Sequence, residues 1–116
     1  MDILEASRTR NLMRSCQRAS LAVSMTNEND TTLPYVALVL VAFDFGANPI
    51  LFISDLAEHS KAIQKNPQAS LLLDATIGRR NPLAHPRYSL VGEIEYPDAK
   101  EAAQLLSRFV NRHAEA

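Results

Sequence analysis

A chain of 116 residues has the length of one domain, and a hydrophobic content of 47% is enough for a packed core. The formal net charge of −1 argues against broad attraction to nucleic acid or to an anionic membrane. The single cysteine, Cys16, excludes an intrachain disulfide and argues against a cysteine-based zinc site. We therefore expect one domain over residues 1–116, in a reducing cytoplasm.

The N-terminus lacks the apolar run of an export signal, and the longest apolar run covers only residues 36–43. A helix that spans a membrane needs about 20 apolar residues. The sequence therefore predicts a soluble protein with no membrane partner.

The first half of the chain predicts one helix and three strands. Residues 2–18 place most apolar side chains on one side, as a helix does. Residues 19–26 alternate apolar with small or polar residues, which is typical of a strand with one buried face. Residues 35–44 are nearly all apolar and rich in valine, so we predict a strand buried on both faces. Residues 50–54 follow a turn and predict the second strand of a hairpin.

The second half predicts a helix and two further strands. Residues 56–66 form the helix, and Ser54 or Asp55 is expected to cap its first amides. Residues 69–76 and 87–96 are the strands, separated by a loop.

A last amphipathic helix is predicted after Asp98, because Asp98 and Glu101 have the spacing of a capping box. The order is then helix, three strands, helix, two strands, helix. A doubly wound parallel sheet needs a crossover after nearly every strand, and only one is available. We therefore predict a mainly β fold, an antiparallel barrel with helices packed outside.

Several enzyme signatures are absent from the sequence. With three glycines the chain can build neither a phosphate-binding P-loop nor a dinucleotide fingerprint, and no serine lies in a Gly-x-Ser-x-Gly turn. Asp55 and His59 are four residues apart on one predicted helix and could share a metal ion. Because no third ligand lies within sequence reach, we assign no metal and no catalytic residue.

The segment 54–61 is the first candidate site, because it passes from a strand end into a helix N-terminus. Free amides and the helix dipole favour a bound phosphate there. Ser54, His59, Ser60 and Lys61 add hydrogen-bond donors within two turns. Ordinary helix capping beside a surface lysine explains the same residues equally well.

Arg87 is the second candidate, together with the basic loop 78–81. In an alternating strand Tyr88 and Leu90 face the core, so Arg87 points away from it. Its guanidinium could donate to a flavin ring or a phosphate, or it could lie at a solvated strand end.

The sequence resembles the FMN-binding split-barrel proteins related to pyridoxamine 5′-phosphate oxidase, and within them the haem iron utilisation branch. The resemblance rests on the order and spacing of six segments that span roughly residues 8–97. They are 10–14 (RNLMR), 19–23 (ASLAV), 34–39 (PYVALV), 54–61 (SDLAEHSK), 66–73 (NPQASLLL) and 81–92 (NPLAHPRYSLVG).

The resemblance implies a homodimer with two FMN sites at the subunit interface. One strand would lie along the flavin, one segment would hold the phosphate and ribityl chain, and one arginine would approach the isoalloxazine ring. The strand residues implied beside the flavin are Val36, Ala37, Leu38 and Val39. The residues implied to hold the phosphate and ribityl chain are Ile53, Ser54, His59, Ser60 and Lys61. The implied arginine is Arg87.

Two departures from the family pattern matter. In the oxidase the strand matching residues 36–41 has basic residues at both ends, where this chain has Val36 and Val41. Pyridoxamine phosphate oxidation is therefore not expected. Relatives also continue beyond the position of His113 into a last strand or a further domain, so we expect this sequence to be either a short member or a fragment.

Three functions stay open at the level of sequence. The first is a flavoprotein in which FMN serves an oxidoreductase reaction on an unknown small substrate. The second is a protein that binds or degrades haem in iron utilisation, with His59, His85 or His113 as iron ligand. The third is a non-catalytic module for flavin binding and dimerisation.

Overall fold

The computed structural model describes residues 3–113 and contains six strands and three α-helices. The strands are β1 (Arg18–Thr26), β2 (Thr32–Leu40), β3 (Ala42–Phe43), β4 (Pro49–Ile50), β5 (Gln68–Asp74) and β6 (Arg87–Glu93). The helices are α1 (Ile3–Ser15), α2 (Glu58–Lys65) and α3 (Ala99–Arg112), and a short 3-10 turn covers Pro82–Ala84.

Four strands form one antiparallel sheet in the order β2-β1-β5-β6, and β3 and β4 form a separate two-stranded ribbon. Mainly antiparallel strands with flanking helices confirm the predicted fold class. The hairpin predicted around residue 46 exists as the ribbon, in which Ala42 pairs with Ile50.

The core lies on one side of the large sheet, which we call the inner face. Strand β1 contributes Ala19, Leu21 and Val23 to it, and α2 covers these side chains with Ala62 and Ile63. Each buried methylene removed from water stabilises the fold by about 0.8 kcal/mol, so this cluster fixes which face of each strand points inward. The ribbon and α3 share a second, smaller cluster around Phe109.

The prediction that residues 35–44 form one strand buried on both faces is wrong. Strand β2 ends at Leu40, and β2 is an edge strand of the sheet. The side chains of Val36 and Leu38 are 63% and 72% exposed, whereas Val39 is buried on the inner face. Within residues 3–113 the structure packs the core against only one side of β2.

The predicted capping of α2 is also wrong. The helix begins at Glu58 with Ala57 as its N-cap, and no side chain caps it. The Ser54 hydroxyl instead accepts from the amide of Leu56, so a turn precedes the helix. The predicted cap of α3 by Asp98 is confirmed, because Asp98 Oδ1 accepts from the amide of Glu101 at 2.8 Å.

Candidate functional site

The outward side of the large sheet, which we call the outer face, is apolar at its edges and lined with small residues at its centre. In one cross-strand row Leu38 lies beside Ser20, which lies beside Leu72. In the next row Val36 lies beside Ala22, and Ser70 lies beside Val91. A shallow hollow of about 490 Å³ lies over Ala22 and Ser70, towards the end of the sheet that is away from Arg87.

One end of the outer face is cationic. Arg87 of β6 pairs in register with Asp74 of β5, and Arg18 at the start of β1 also acts on the Asp74 carboxylate. Hydrogen bonds from the hydroxyl and amide of Thr76 are the main reason that the pKa of Asp74 lies below its ordinary value, and the two arginines lower it further. Two guanidinium groups therefore flank one ionised carboxylate, and a net positive charge remains.

Arg87 is exposed, as strand alternation predicts, while Tyr88 and Leu90 pack against the core. Its guanidinium donates to the His85 carbonyl at 3.5 Å. The sequence pattern does not indicate Arg18 or Asp74, because the helical pattern of residues 2–18 includes Arg18 and the neighbour of Asp74 depends on strand register. The alternation of Ser20, Ala22 and Ser24 extends back to Arg18 and could have indicated it.

The four β2 residues expected beside a flavin are divided between the two faces of the sheet. Val36 and Leu38 lie on the outer face, whereas Val39 is buried in the core and Ala37 is half-buried on the same inner side. A ligand on the outer face can therefore contact the side chains of Val36 and Leu38, but not the side chain of Val39.

Within one copy of the chain the β2 residues and Arg87 are too far apart to share one flavin ring. Strands β2 and β6 are the two edges of the sheet, so three strand spacings separate them, about 14 Å. That span is longer than the three-ring system. The structure brings Arg87 close to Asp74 but not to Val36 or Leu38.

The N-terminus of α2 has two free backbone donors. Ser60 and Lys61 donate their amides to the Ala57 carbonyl, while the amides of Glu58 and His59 have no acceptor among residues 3–113. Unpaired amides at the positive end of a helix favour an anion.

The side chains around these amides are of mixed sign. Lys61 is exposed, and its Nζ lies 3.7 Å from a Glu58 carboxylate oxygen. Asp55 is a second exposed carboxylate in the same turn, and His59 is half-buried. Because Glu58 and Asp55 oppose an incoming anion, the amides and Lys61 must provide most of any attraction.

Ser60 and Ile53 hold this segment in place. Ser60 is buried, and its hydroxyl donates to the Ser54 carbonyl at 2.5 Å. Ile53 is half-buried and packs against the main core. These contacts attach the turn that precedes α2 to the inner side of the sheet.

The three histidines lie in different surroundings. His113 is buried, its Nε2 lies 2.7 Å from the Val41 carbonyl, and its ring lies 4.8 Å from that of Phe109. His59 and His85 are half-buried. Between residues 3 and 113 no three histidine, cysteine or acidic side chains cluster as a metal site would require.

None of the helices within residues 3–113 has both the length and the apolar character needed to cross a membrane.

Three solved structures are similar over nearly all of this chain. A protein of unknown function from Agrobacterium tumefaciens is 22% identical with a TM-score of 0.82, covering 99% of this chain and 48% of that one. A heme binding protein from Mycobacterium smegmatis is 30% identical with a TM-score of 0.79, and the match covers 94% of this chain and 43% of that one. An FAD-binding protein from Mesorhizobium loti is 17% identical with a TM-score of 0.60, and the match covers 99% of this chain and 78% of that one. This chain spans about half the length of the first two.

The family model described as CREG, beta-barrel matches residues 3–116. No curated protein matches the sequence. The barrel class that the resemblance implied is thus supported, and membership of the haem iron utilisation branch stays a prediction. The chain belongs to the CREG β-barrel family.

Proposed function

We propose that two copies of this chain bind FMN between them, against their outer faces, and that the bound flavin serves an oxidoreductase reaction on a small molecule. The observation that carries the proposal is the outer face itself. It combines exposed apolar side chains, a small-residue centre and a cationic end, which suits a flat aromatic ligand with anionic groups.

The distance across the sheet is the reason for proposing two copies. The strand that carries Val36 and Leu38 lies three strand spacings, about 14 Å, from the strand that carries Arg87 in the same copy. If a second copy faces the first, its Arg87 can approach a ring that lies along β2 of the first. The exposed apolar side chains of β2 would be buried in the same step, which stabilises the pair.

The donors of the chain fit an anionic cofactor. The free amides of Glu58 and His59, with the Lys61 ammonium, would hold the phosphate. Because α2 packs on the inner side of the sheet, the ribityl chain would pass the β2 edge to connect this phosphate with a ring on the outer face. The guanidinium of Arg87 would donate to the edge of the ring and favour negative charge there. The Ser60 hydroxyl keeps the turn before α2 in position through the Ser54 carbonyl.

FMN, when bound, supplies the electron or hydride transfer, so the chain has to bind, orient and tune it. Leu38 and Val36 would exclude water from one side of the ring. The substrate is proposed only as a small molecule that reaches the exposed side of the flavin.

Haem is the second candidate, and one observation favours it. The heme binding protein from Mycobacterium smegmatis is the relative at 30% identity, and the match covers 94% of this chain. The guanidinium groups of Arg18 and Arg87 would pair with carboxylates of a haem as well as with a phosphate. His85, two residues before Arg87, would then be the iron ligand nearest to the cationic end.

The absorbance spectrum of purified protein titrated with FMN and, separately, with haem tests the proposal. Bound flavin keeps its absorbance band at about 450 nm and loses fluorescence, whereas bound haem gives a strong band at about 400 nm. Saturable FMN binding at one flavin per chain supports the proposal. Haem binding without FMN binding would favour the second candidate, and uptake of neither would leave a non-catalytic dimerisation module.

A further inference from the structure

The outward-pointing side chains of the large sheet form a grid of four rows where all four strands overlap. Every second residue of a strand points to the outer face, and the strand registers align these residues across the sheet. The row at the cationic end, in the strand order β2-β1-β5-β6, is Leu40, Arg18, Asp74 and Arg87. The row at the opposite end is Pro34, Ser24, Gln68 and Glu93. The two rows between them contain no charged side chain, so the charges of the grid lie in its first and last rows.

Arg18 and Asp74 occupy the middle of their row. Strands β1 and β5 are the two central strands, and continuing their register places Arg18 level with Asp74, whereas Arg87 lies at the β6 edge. The Asp74 Oδ1 accepts both hydrogen bonds from Thr76, and its Oδ2 accepts none within residues 3–113. Neither Arg18 nor Arg87 closes an ion pair with this carboxylate in the described part of one copy. A guanidinium and a carboxylate oxygen near the middle of the outer face are therefore both open to a second copy.

The direction of a two-fold axis determines which residues of two copies meet. Two sheets that pack face to face keep their strands within about 30° of each other. In the proposed flavin site β2 of one copy faces β6 of its partner, which requires the axis to run along the strands. An axis in that direction also sets β1 against the partner's β5 and keeps each row level with the same row of the partner. Arg18 then lies opposite the partner's Asp74, and the reverse pair follows by symmetry.

We propose that Arg18 of each copy pairs with the partner's Asp74, and that these two pairs fix the alignment of the dimer. The inference rests on the proposed function, because the shared flavin sets the direction of the axis. The four side chains form a neutral ring at the axis, so the middle of the cationic end is covered without burying a net charge. Each Arg87 stays outside the ring, at the edge where the flavin is proposed to lie.

A second arrangement of the two sheets also matches opposite charges. If the axis runs across the strands, β6 faces the partner's β6 and the first row of one copy faces the last row of the other. Arg87 then lies opposite the partner's Glu93, and Arg18 lies far from the partner's Asp74. The two arrangements differ in which charges meet, so variants that exchange charges separate them.

The test mixes two variants that each give the ring charges of one sign. Arg18→Asp gives four carboxylates at the axis, and Asp74→Arg gives four guanidinium groups. Sedimentation velocity should show that each variant alone dimerises at least about tenfold more weakly than the wild-type protein. In a mixed pair both contacts across the interface join opposite charges, whereas both neighbours within a copy have the same charge. Native mass spectrometry of the equimolar mixture should therefore show mainly the heterodimer, and a mixture that stays monomeric overturns the proposal.

A second pair of variants controls for overall charge. Arg87→Glu and Glu93→Arg change the net charges of the two chains by the same amounts as the first pair. Under the proposal each of these variants still dimerises alone, and their mixture gives the heterodimer only in statistical proportion. Enrichment of the heterodimer in this pair, and not in the first, would place the axis across the strands and would contradict the proposal.

Asp74→Asn separates the loss of charge from a defect in the fold. Asparagine keeps an oxygen for the Thr76 hydrogen bonds, so the circular dichroism spectrum should stay unchanged. The dimer should still weaken, because two guanidinium groups then lose their carboxylates. A dimer as tight as that of the wild-type protein would mean that Asp74 does not act across the interface.

An FMN titration distinguishes a failure of this alignment from a failure of the flavin site, because the mixing experiments are done without FMN. A heterodimer of Arg18→Asp with Asp74→Arg, in a protein whose wild type binds no FMN, would support the ring and remove the flavin proposal. Saturable FMN binding by the wild type, with a mixture that stays monomeric, would overturn the ring alone.

Discussion

Arg87 illustrates what can be predicted at the scale of one residue. The period-two pattern of residues 87–94 places Arg87 away from the core, and the structure confirms it because Tyr88 and Ile94 pack inward. Its neighbour Asp74 could not be predicted, because the pairing of β6 with β5 joins residues thirteen positions apart in sequence. Local patterns give the direction of a side chain, while its contacts depend on strand register.

Replacing Arg87 with alanine should lower both the FMN affinity, by about tenfold, and the flavin reduction potential. The guanidinium is expected to donate to the ring and to stabilise its anionic reduced form. The fold should stay intact because the side chain is exposed. Titration and redox potentiometry measure the two effects. Arg8→Ala, at an exposed position of α1, is the matched control, and an unchanged Arg87→Ala protein would remove Arg87 from the flavin site.

Lys61 provides a second test at this scale. Lys61→Glu removes a charge-assisted contact and adds repulsion at the free amides of α2, so FMN affinity should fall ten- to a hundredfold, about 1.5–3 kcal/mol. Lys65→Glu makes the same charge change at the other end of α2, where no phosphate is expected. If the two variants lose equal affinity in an FMN titration, the phosphate is not held at the N-terminus of α2.

At the scale of elements, the two helix starts show where sequence signals suffice. Asp98 caps α3 as its spacing from Glu101 predicts, because both partners lie within one turn. Ser54 does not cap α2, because its hydroxyl accepts a hydrogen bond from the Leu56 amide. The Ser54 carbonyl accepts a hydrogen bond from the buried hydroxyl of Ser60. That second contact depends on how α2 packs on the sheet, which no local pattern contains.

Removing the Asp98 cap should destabilise the protein without changing the outer face. Asp98→Ala leaves the Glu101 amide without its acceptor, so the free energy of unfolding should fall by about 1 kcal/mol. Asp98→Asn keeps an oxygen in the same place, so its free energy of unfolding should fall by much less. Urea denaturation of the three proteins measures both, and equal losses for alanine and asparagine would mean that charge rather than the hydrogen bond stabilises this end of α3.

At the scale of the molecule, the error about β2 has a physical reason. A run of valine and leucine indicates that both sides of a strand avoid water, and it does not say which chain covers them. The structure covers Val39 with the core and leaves Val36 and Leu38 exposed. The fold class followed from local patterns, whereas the cationic end depends on contacts between distant elements.

The exposed side of β2 leads to the prediction of a homodimer. An edge strand with apolar side chains is an aggregation risk unless a partner covers it, and a specific pair should bury at least about 1,000 Å². Sedimentation velocity at micromolar concentration should therefore show a dimer. Leu38→Asp places a charge at the centre of this surface and should shift the protein to monomer. Ile3→Asp changes an apolar residue on α1 that is even more exposed than Leu38 and should leave the dimer intact. A wild-type protein that sediments only as monomer would contradict both the dimer and the proposal that Arg87 of one copy reaches a flavin on β2 of the other.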